Sequence, residues 1–130
     1  APAPFEAGKT LAQALMAPTR IYIKSVLPQI KAGRIKGCAH ITGGGLIENP
    51  PRAIAEGLVA RFDWNAWTPP PVFQWLQGVG GVAEHEMRRT FNCGVGLMLI
   101  VDPAHLPDVL EGLIAAGEDA FVCGELAAAE

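Results

Sequence analysis

Three consecutive glycines, Gly43-Gly44-Gly45, lie between a β-branched apolar stretch and an Asn-Pro-Pro sequence, and nothing else in the chain restricts its fold as strongly. Each glycine adds to the entropy cost of ordering the backbone and none packs a side chain, so the run suits neither a strand nor a helix interior. Ile35–Thr42, just before it, is expected to be a strand. Downstream, Asn49 is a good cap and proline is favoured in a first helical turn, so Pro50–Glu56 is expected to form a short helix closed by Gly57. A glycine loop between a strand and a helix N-terminus can bring backbone amides close to an anion, with the helix end adding partial positive charge. No Gly-Lys-Ser/Thr follows the run and no G-x-G-x-x-G spacing is present, which excludes a Walker loop and a dinucleotide fingerprint. A tight bend where two elements pack closely would use the same glycines.

Residues 1–9 hold two prolines and no periodicity, and are expected to be a linker or a cut end; residues 10–130 are expected to form one domain. Thr10 can cap a short helix through Leu11, Leu15 and Met16 that Pro18 ends. Arg20–Lys24 alternates polar and apolar residues, which predicts a strand, and Ser25 then caps a helix over Val26–Ala32 closed by Gly33. Leu58–Phe62 is a further strand. Val72, Phe73, Trp75, Leu76 and Val79 have helical spacing, with Gly80-Gly81 as the stop, and Ala83–Thr90 is a second helical stretch. Val95–Val101 is expected to be a strand, Leu106–Ala116 a helix ended by Gly117, and Ala120–Cys123 a fifth short strand. Strands alternating with single helices indicate an α+β or α/β layered domain. The abrupt close in Leu126-Ala-Ala-Ala-Glu130 suggests a piece of a longer polypeptide.

With 130 residues, half of them apolar, the chain can bury a core without metals or disulfides. No apolar run approaches the roughly 20 residues of a membrane-spanning helix, and no signal peptide is recognisable. Cys38, Cys93 and Cys123 are widely spaced and odd in number, as expected of buried reduced thiols rather than a disulfide framework or zinc site. Residues 1–60 carry seven Lys/Arg against three Glu, whereas residues 61–130 carry three Arg against ten Asp/Glu. The six cations from Arg20 to Arg52 could attract a phosphate-bearing small molecule. They are too few, in an acidic chain, for nucleic acid.

His40, three residues before the glycines, is a candidate proton donor or acceptor, with a buried structural histidine as the alternative. Thr42, Glu48, Asn49 and Arg52 could orient a ligand, although capping alone explains Asn49. A second polar and glycine cluster, Thr90-Phe-Asn-Cys-Gly-Val-Gly96, also stands at the start of a strand. Cys93 within it lacks the electropositive setting a nucleophile needs. Trp64, Trp67, Phe73 and Trp75 are expected to serve packing rather than base stacking, and His85 and His105 to face solvent.

The segments Pro18-Thr-Arg-Ile-Tyr-Ile-Lys24, Ala39-His-Ile-Thr-Gly-Gly-Gly-Leu46, Glu48-Asn49, Pro51-Arg52, Pro71-Val-Phe-Gln-Trp-Leu76 and Met87-x-x-Thr-Phe-Asn-x-Gly-Val-Gly96 resemble, in order and over about residues 10–125, the C-terminal domain of the aminoimidazole ribonucleotide synthetases, or phosphoribosylformylglycinamidine cyclo-ligases. Two positions depart from the pattern: Pro50 replaces a branched apolar residue and Cys93 a methionine. The resemblance implies an α+β fold with α-β-α layers around a mixed sheet of four to five strands, partly ferredoxin-like. It implies a cytoplasmic purine-biosynthesis ligase that uses ATP and magnesium to close the imidazole ring of formylglycinamidine ribonucleotide.

The same resemblance puts most of the ATP site on an N-terminal domain, leaving this chain without a metal site and inactive alone. His40 is the catalytic candidate it implies. Thr42, Gly43, Gly44, Gly45, Glu48, Asn49, Arg52, Thr90, Asn92, Gly94 and Gly96 are implied to hold the ribonucleotide phosphate or the ATP-side anion. The expected partners are that N-terminal domain and the small-molecule substrate, with no nucleic acid and no membrane. Removing the domain should uncover an apolar face at Leu46, Ile47, Phe91 and Val95, and so favour self-association. The rival reading is a stand-alone anion-binding or protein-interaction module that reuses the fold.

Overall fold

A computed structural model of the chain describes residues 1–129. In chain order the elements are α1 (Leu11–Leu15), α2 (Ile23–Lys31), β1 (Ile35–His40), α3 (Gly45–Glu48), a 3-10 turn (Pro50–Ala53), β2 (Leu58–Phe62), α4 (Pro71–Gly80), α5 (Glu84–Thr90), β3 (Leu97–Val101), a second 3-10 turn (Pro103–His105), α6 (Leu106–Ala115) and β4 (Gly124–Ala128). The chain is α+β. The expected mixed sheet of four to five strands does not form among the described residues: β1 pairs with β3, β2 pairs with β4, and both ladders are antiparallel.

The β1–β3 ladder carries the core. Ile35, Leu97, Leu99 and Val101 pack with Val26 of α2 and with Val109 and Leu113 of α6, while Ala39, Met98 and Ile100 pack with Leu46 of α3 and Met87 of α5 on the other side. Strand side chains alternate between faces, so Ile35 and Gly37 would ordinarily point the same way. A bulge between them adds one residue, and Ile35 pairs with Val101 while Gly37 pairs with the adjacent Ile100. Ile41 and Leu46 are 2% and 1% exposed, and burial on this scale contributes roughly 2–3 kcal/mol for each side chain.

Three expected elements are replaced. Arg20–Tyr22 is irregular and Lys24 already lies in α2, because the side chains turned inward are Tyr22, Ser25, Val26 and Gln29 at helical spacing; Ile21 and Ile23 remain exposed. Pro28 inside this helix removes one backbone donor on its exposed side. The expected helix over Pro50–Glu56 is only the 3-10 turn Pro50–Ala53: the Arg52 and Ile54 amides donate three residues back, to Asn49 and Pro51, and Ile54 is already extended. Ala120–Cys123 is not a strand. Its successor Gly124–Ala128 pairs with β2, and Gly124 crosses so close to Arg61 that a Cβ there would overlap the Arg61 carbonyl.

Residues 1–9 fold back on the body: Ala3 is buried, Pro2 bridges Thr10, and the Phe5 and Trp75 rings lie 5.1 Å apart. Thr10 and Gln13 form a reciprocal capping box on α1, as the sequence leads one to expect of Thr10. The apolar face expected at Leu46, Ile47, Phe91 and Val95 is corrected: Leu46 and Val95 are buried, Phe91 is half-buried and only Ile47 is exposed. No helix among the described residues is long and apolar enough to cross a membrane.

Candidate functional site

β1 ends at His40 and the chain enters the glycine loop through Ile41, whose amide donates to the Gly96 carbonyl at 2.9 Å. This bond joins the two glycine clusters. Gly45 tightens the junction: it has φ +58°, and a Cβ would overlap the backbone carbonyls of Arg88 and Phe91, so α3 can approach the end of α5 only with glycine there. Glu48 on α3 accepts a hydrogen bond from Arg89 Nε at 3.0 Å, which raises the Arg89 pKa. Gly44 has φ +104°, a conformation that a side chain would strain.

Gly43 differs, because its φ is not positive and a Cβ would meet nothing within 4 Å. The amides of Gly43 and Gly44 donate to no acceptor among the described residues. Asn49 does not cap the following turn, as the sequence suggested. It is 3% exposed and its side chain turns back into the loop, accepting from the Thr42 amide through Oδ1 at 2.8 Å and donating through Nδ2 to the Gly43 carbonyl at 3.3 Å.

In the second cluster Asn92 Oδ1 accepts from the Gly94 amide at 2.9 Å, a local turn that uses the side chain internally. A Cβ on Gly94, at φ +93°, would overlap the Pro70 ring, and one on Gly96 would overlap the Tyr22 hydroxyl. Cys93 has φ +53°, is buried, and its thiol is pushed up by burial, with Arg88 partly opposing. That leaves it protonated at neutral pH and unsuited to nucleophilic attack.

Of the twelve predicted residues, the structure brings Thr42, Gly43, Gly44, Gly45, Glu48 and Asn49 together in one loop against α5, with Thr90, Asn92, Gly94 and Gly96 on the segment beside it. His40 is exposed on the same strand face as Leu97, and Arg52 is exposed on the 3-10 turn that packs against β1. Neither side chain makes a hydrogen bond or ion pair among the described residues. His85 and His105 are exposed. A pocket of about 110 Å³ lies elsewhere, lined by Trp64, Trp67, Phe73, Met87 and Cys93 with Gln74, Gln77 and Glu84, and none of the twelve lines it. Its aromatic walls belong to the core, with Arg88 stacked 3.8 Å above Trp64 and Trp67 Nε1 donating to the Cys93 carbonyl at 3.0 Å.

Sequence reasoning missed Tyr22, whose ring fills the space above Gly96, and the latch that holds it. Arg20 Nε lies 3.1 Å from Glu118 Oε2, and Ser25 Oγ donates to Glu118 Oε1 at 2.9 Å. The recurrence of Tyr22, Ser25, Val26 and Gln29 at helical spacing was the available signal.

Among known families, the one described as AIR synthase related protein, C-terminal domain, matches residues 2–130. The chain belongs to this family. It is 53% identical over 121 residues to the phosphoribosylformylglycinamidine cyclo-ligases of Burkholderia mallei (strain SAVP1) and Burkholderia pseudomallei (strain 668), covering 93% of this chain and 34% of each relative. The same enzyme from Burkholderia cenocepacia (strain HI2424) is 52% identical over the same span. The chain therefore spans about a third of the length of the curated relatives it matches. Within an AIR synthase related C-terminal domain, the joined glycine clusters form one continuous feature where sequence motifs alone showed two.

Proposed function

We propose that the chain is the C-terminal part of an ATP-dependent cyclo-ligase that closes the imidazole ring of formylglycinamidine ribonucleotide to give aminoimidazole ribonucleotide. The observation that carries this is the 53% identity to phosphoribosylformylglycinamidine cyclo-ligase across 93% of the chain. A cytoplasmic enzyme with an N-terminal ATP-binding domain completes the proposal, and the chain alone is inactive. Magnesium is commonly held by one or two carboxylates together with substrate phosphates, and in this proposal Mg-ATP is held mainly by the accompanying domain. The domain is layered α-β-α and partly ferredoxin-like in this proposal, and helices on both faces of the β1–β3 ladder support the layering.

In this proposal an amide oxygen of the substrate is phosphorylated from ATP, an internal nitrogen attacks the same carbon, the ring C–N bond forms and phosphate leaves. His40, exposed where β1 meets the loop, takes the proton that the attacking nitrogen sheds. The outward amides of Gly43 and Gly44 hold the ribonucleotide phosphate, with Thr42, Arg52, Thr90 and Asn92 lining the same cleft. Gly43 supports this most directly, since packing gives no reason for glycine there. In the full-length enzyme Gly43→Ala should raise the ribonucleotide KM while leaving the melting temperature unchanged. His40→Ala should lower kcat by about a hundredfold or more, the usual contribution of a general acid or base. Wild-type KM in the first variant removes the phosphate assignment, and a kcat within about twofold in the second removes the proton-transfer role.

A further inference from the structure

We infer that Asn49 is a positioning residue, which aims the loop amides at the ribonucleotide phosphate without touching it; this rests on the cyclo-ligase reading above. Asn49 is 3% exposed and both its polar atoms bond inside the loop; one N–H and one lone pair remain, and burial keeps them from a ligand outside the loop. The orientation of the amide follows from its partners, since the atom facing the Thr42 N–H must accept and the atom facing the Gly43 C=O must donate. None of the peptide bonds is cis, and in a trans peptide the C=O and the following N–H point in opposite directions. By drawing the Gly43 carbonyl inward, Asn49 Nδ2 therefore turns the Gly44 amide outward. The Gly45 amide, which donates to the Thr42 carbonyl at 2.9 Å, does the same for the Gly43 amide.

Two adjacent donors thus face away from the core because two carbonyls are held inside it, one by the backbone and one by a side chain. Only the side-chain restraint can be removed by substitution. Oδ1 fixes the other end of the same peptide run by accepting from Thr42, so that the loop cannot rotate as a unit. Loss of Asn49 frees the Gly43–Gly44 peptide to flip, which takes one amide away from the phosphate and leaves the rest of the active site in place.

The test is steady-state kinetics of the full-length enzyme carrying Asn49→Ala, with Asn49→Ser as a second variant whose smaller polar side chain admits water to the vacated space. The ribonucleotide KM should rise about tenfold or more in both, the effect of one charge-assisted hydrogen bond. The KM for ATP should stay at the wild-type value, and kcat should change by less than about threefold at saturating ribonucleotide. A lowered melting temperature with an unchanged ribonucleotide KM in either folded variant would overturn the inference, because it would make Asn49 a stabilising residue only. Should Asn49→Ala fail to fold, Asn49→Ser decides. A wild-type enzyme without ring-closing activity would instead refute the cyclo-ligase reading, a result separate from any comparison between variants.

Discussion

In the segment Phe91–Gly96 both glycines answer to a neighbour: Gly94 lies under the Pro70 ring and Gly96 under the Tyr22 hydroxyl. In Gly43–Gly45 the three positions divide. Gly45 is required by the carbonyls of α5 and Gly44 by its positive φ, but Gly43 by nothing within the fold. Two motifs that look equivalent in sequence thus differ in content, one consumed by packing and the other retaining a residue free for a ligand. The difference teaches that a glycine points to a ligand only when no neighbour within the chain accounts for it.

Four substitutions grade that contrast, read as thermal or urea denaturation of the full-length protein. Gly45→Ala should be the most damaging, by about 3 kcal/mol or more, because the new Cβ enters two immobile backbone carbonyls at a positive φ. Gly94→Ala should follow at about 2 kcal/mol, since the Pro70 ring can shift where a helix backbone cannot. Gly44→Ala should cost about 1 kcal/mol, from backbone strain and from a Cβ set 3.0 Å from the Glu48 Cβ, on a side chain that can move. Gly43→Ala should stay within about 0.5 kcal/mol of the parent. A Gly43→Ala protein as unstable as Gly94→Ala would abolish the contrast, and a stable Gly45→Ala would show that α3 does not need its close approach to α5.

Much of this was legible from local pattern. The glycine loop, the cores of β1, β2 and β3, and helices α4, α5 and α6 follow from apolar spacing and from glycine and proline stops. Strand pairing was not, because which ladder Gly124–Ala128 joins depends on a partner more than 60 residues away. Arg20–Lys24 misled because its alternation is genuine, yet the inward, half-buried member is Tyr22 rather than the two isoleucines. The site was visible as a list of residue types. What each residue does was not, since Asn49 has the same identity whether it caps a helix, meets a phosphate or clamps a loop. Only its two short bonds to Thr42 and Gly43 separate these roles.

The single extra residue in β1 is absorbed at the bulge, so the faces of the strand beyond it follow the regular alternation from Gly37 onward. Downstream of the bulge, Gly37, Ala39 and Ile41 look toward α3 and α5, and Cys38 and His40 look away. Deleting Lys36, an exposed residue whose ion pair is with Asp102 at 3.4 Å, would close the bulge with Ile35 still opposite Val101 and Gly37 still opposite Ile100, whereas deleting Cys38, in the regular part of the ladder, would put Gly37 or Ala39 on the opposite face. Removing Lys36 should therefore be tolerated far better than removing Cys38, as parallel expression and melting of the two forms would reveal. Residue count beyond the bulge, more than residue identity, decides which side of the molecule can do chemistry.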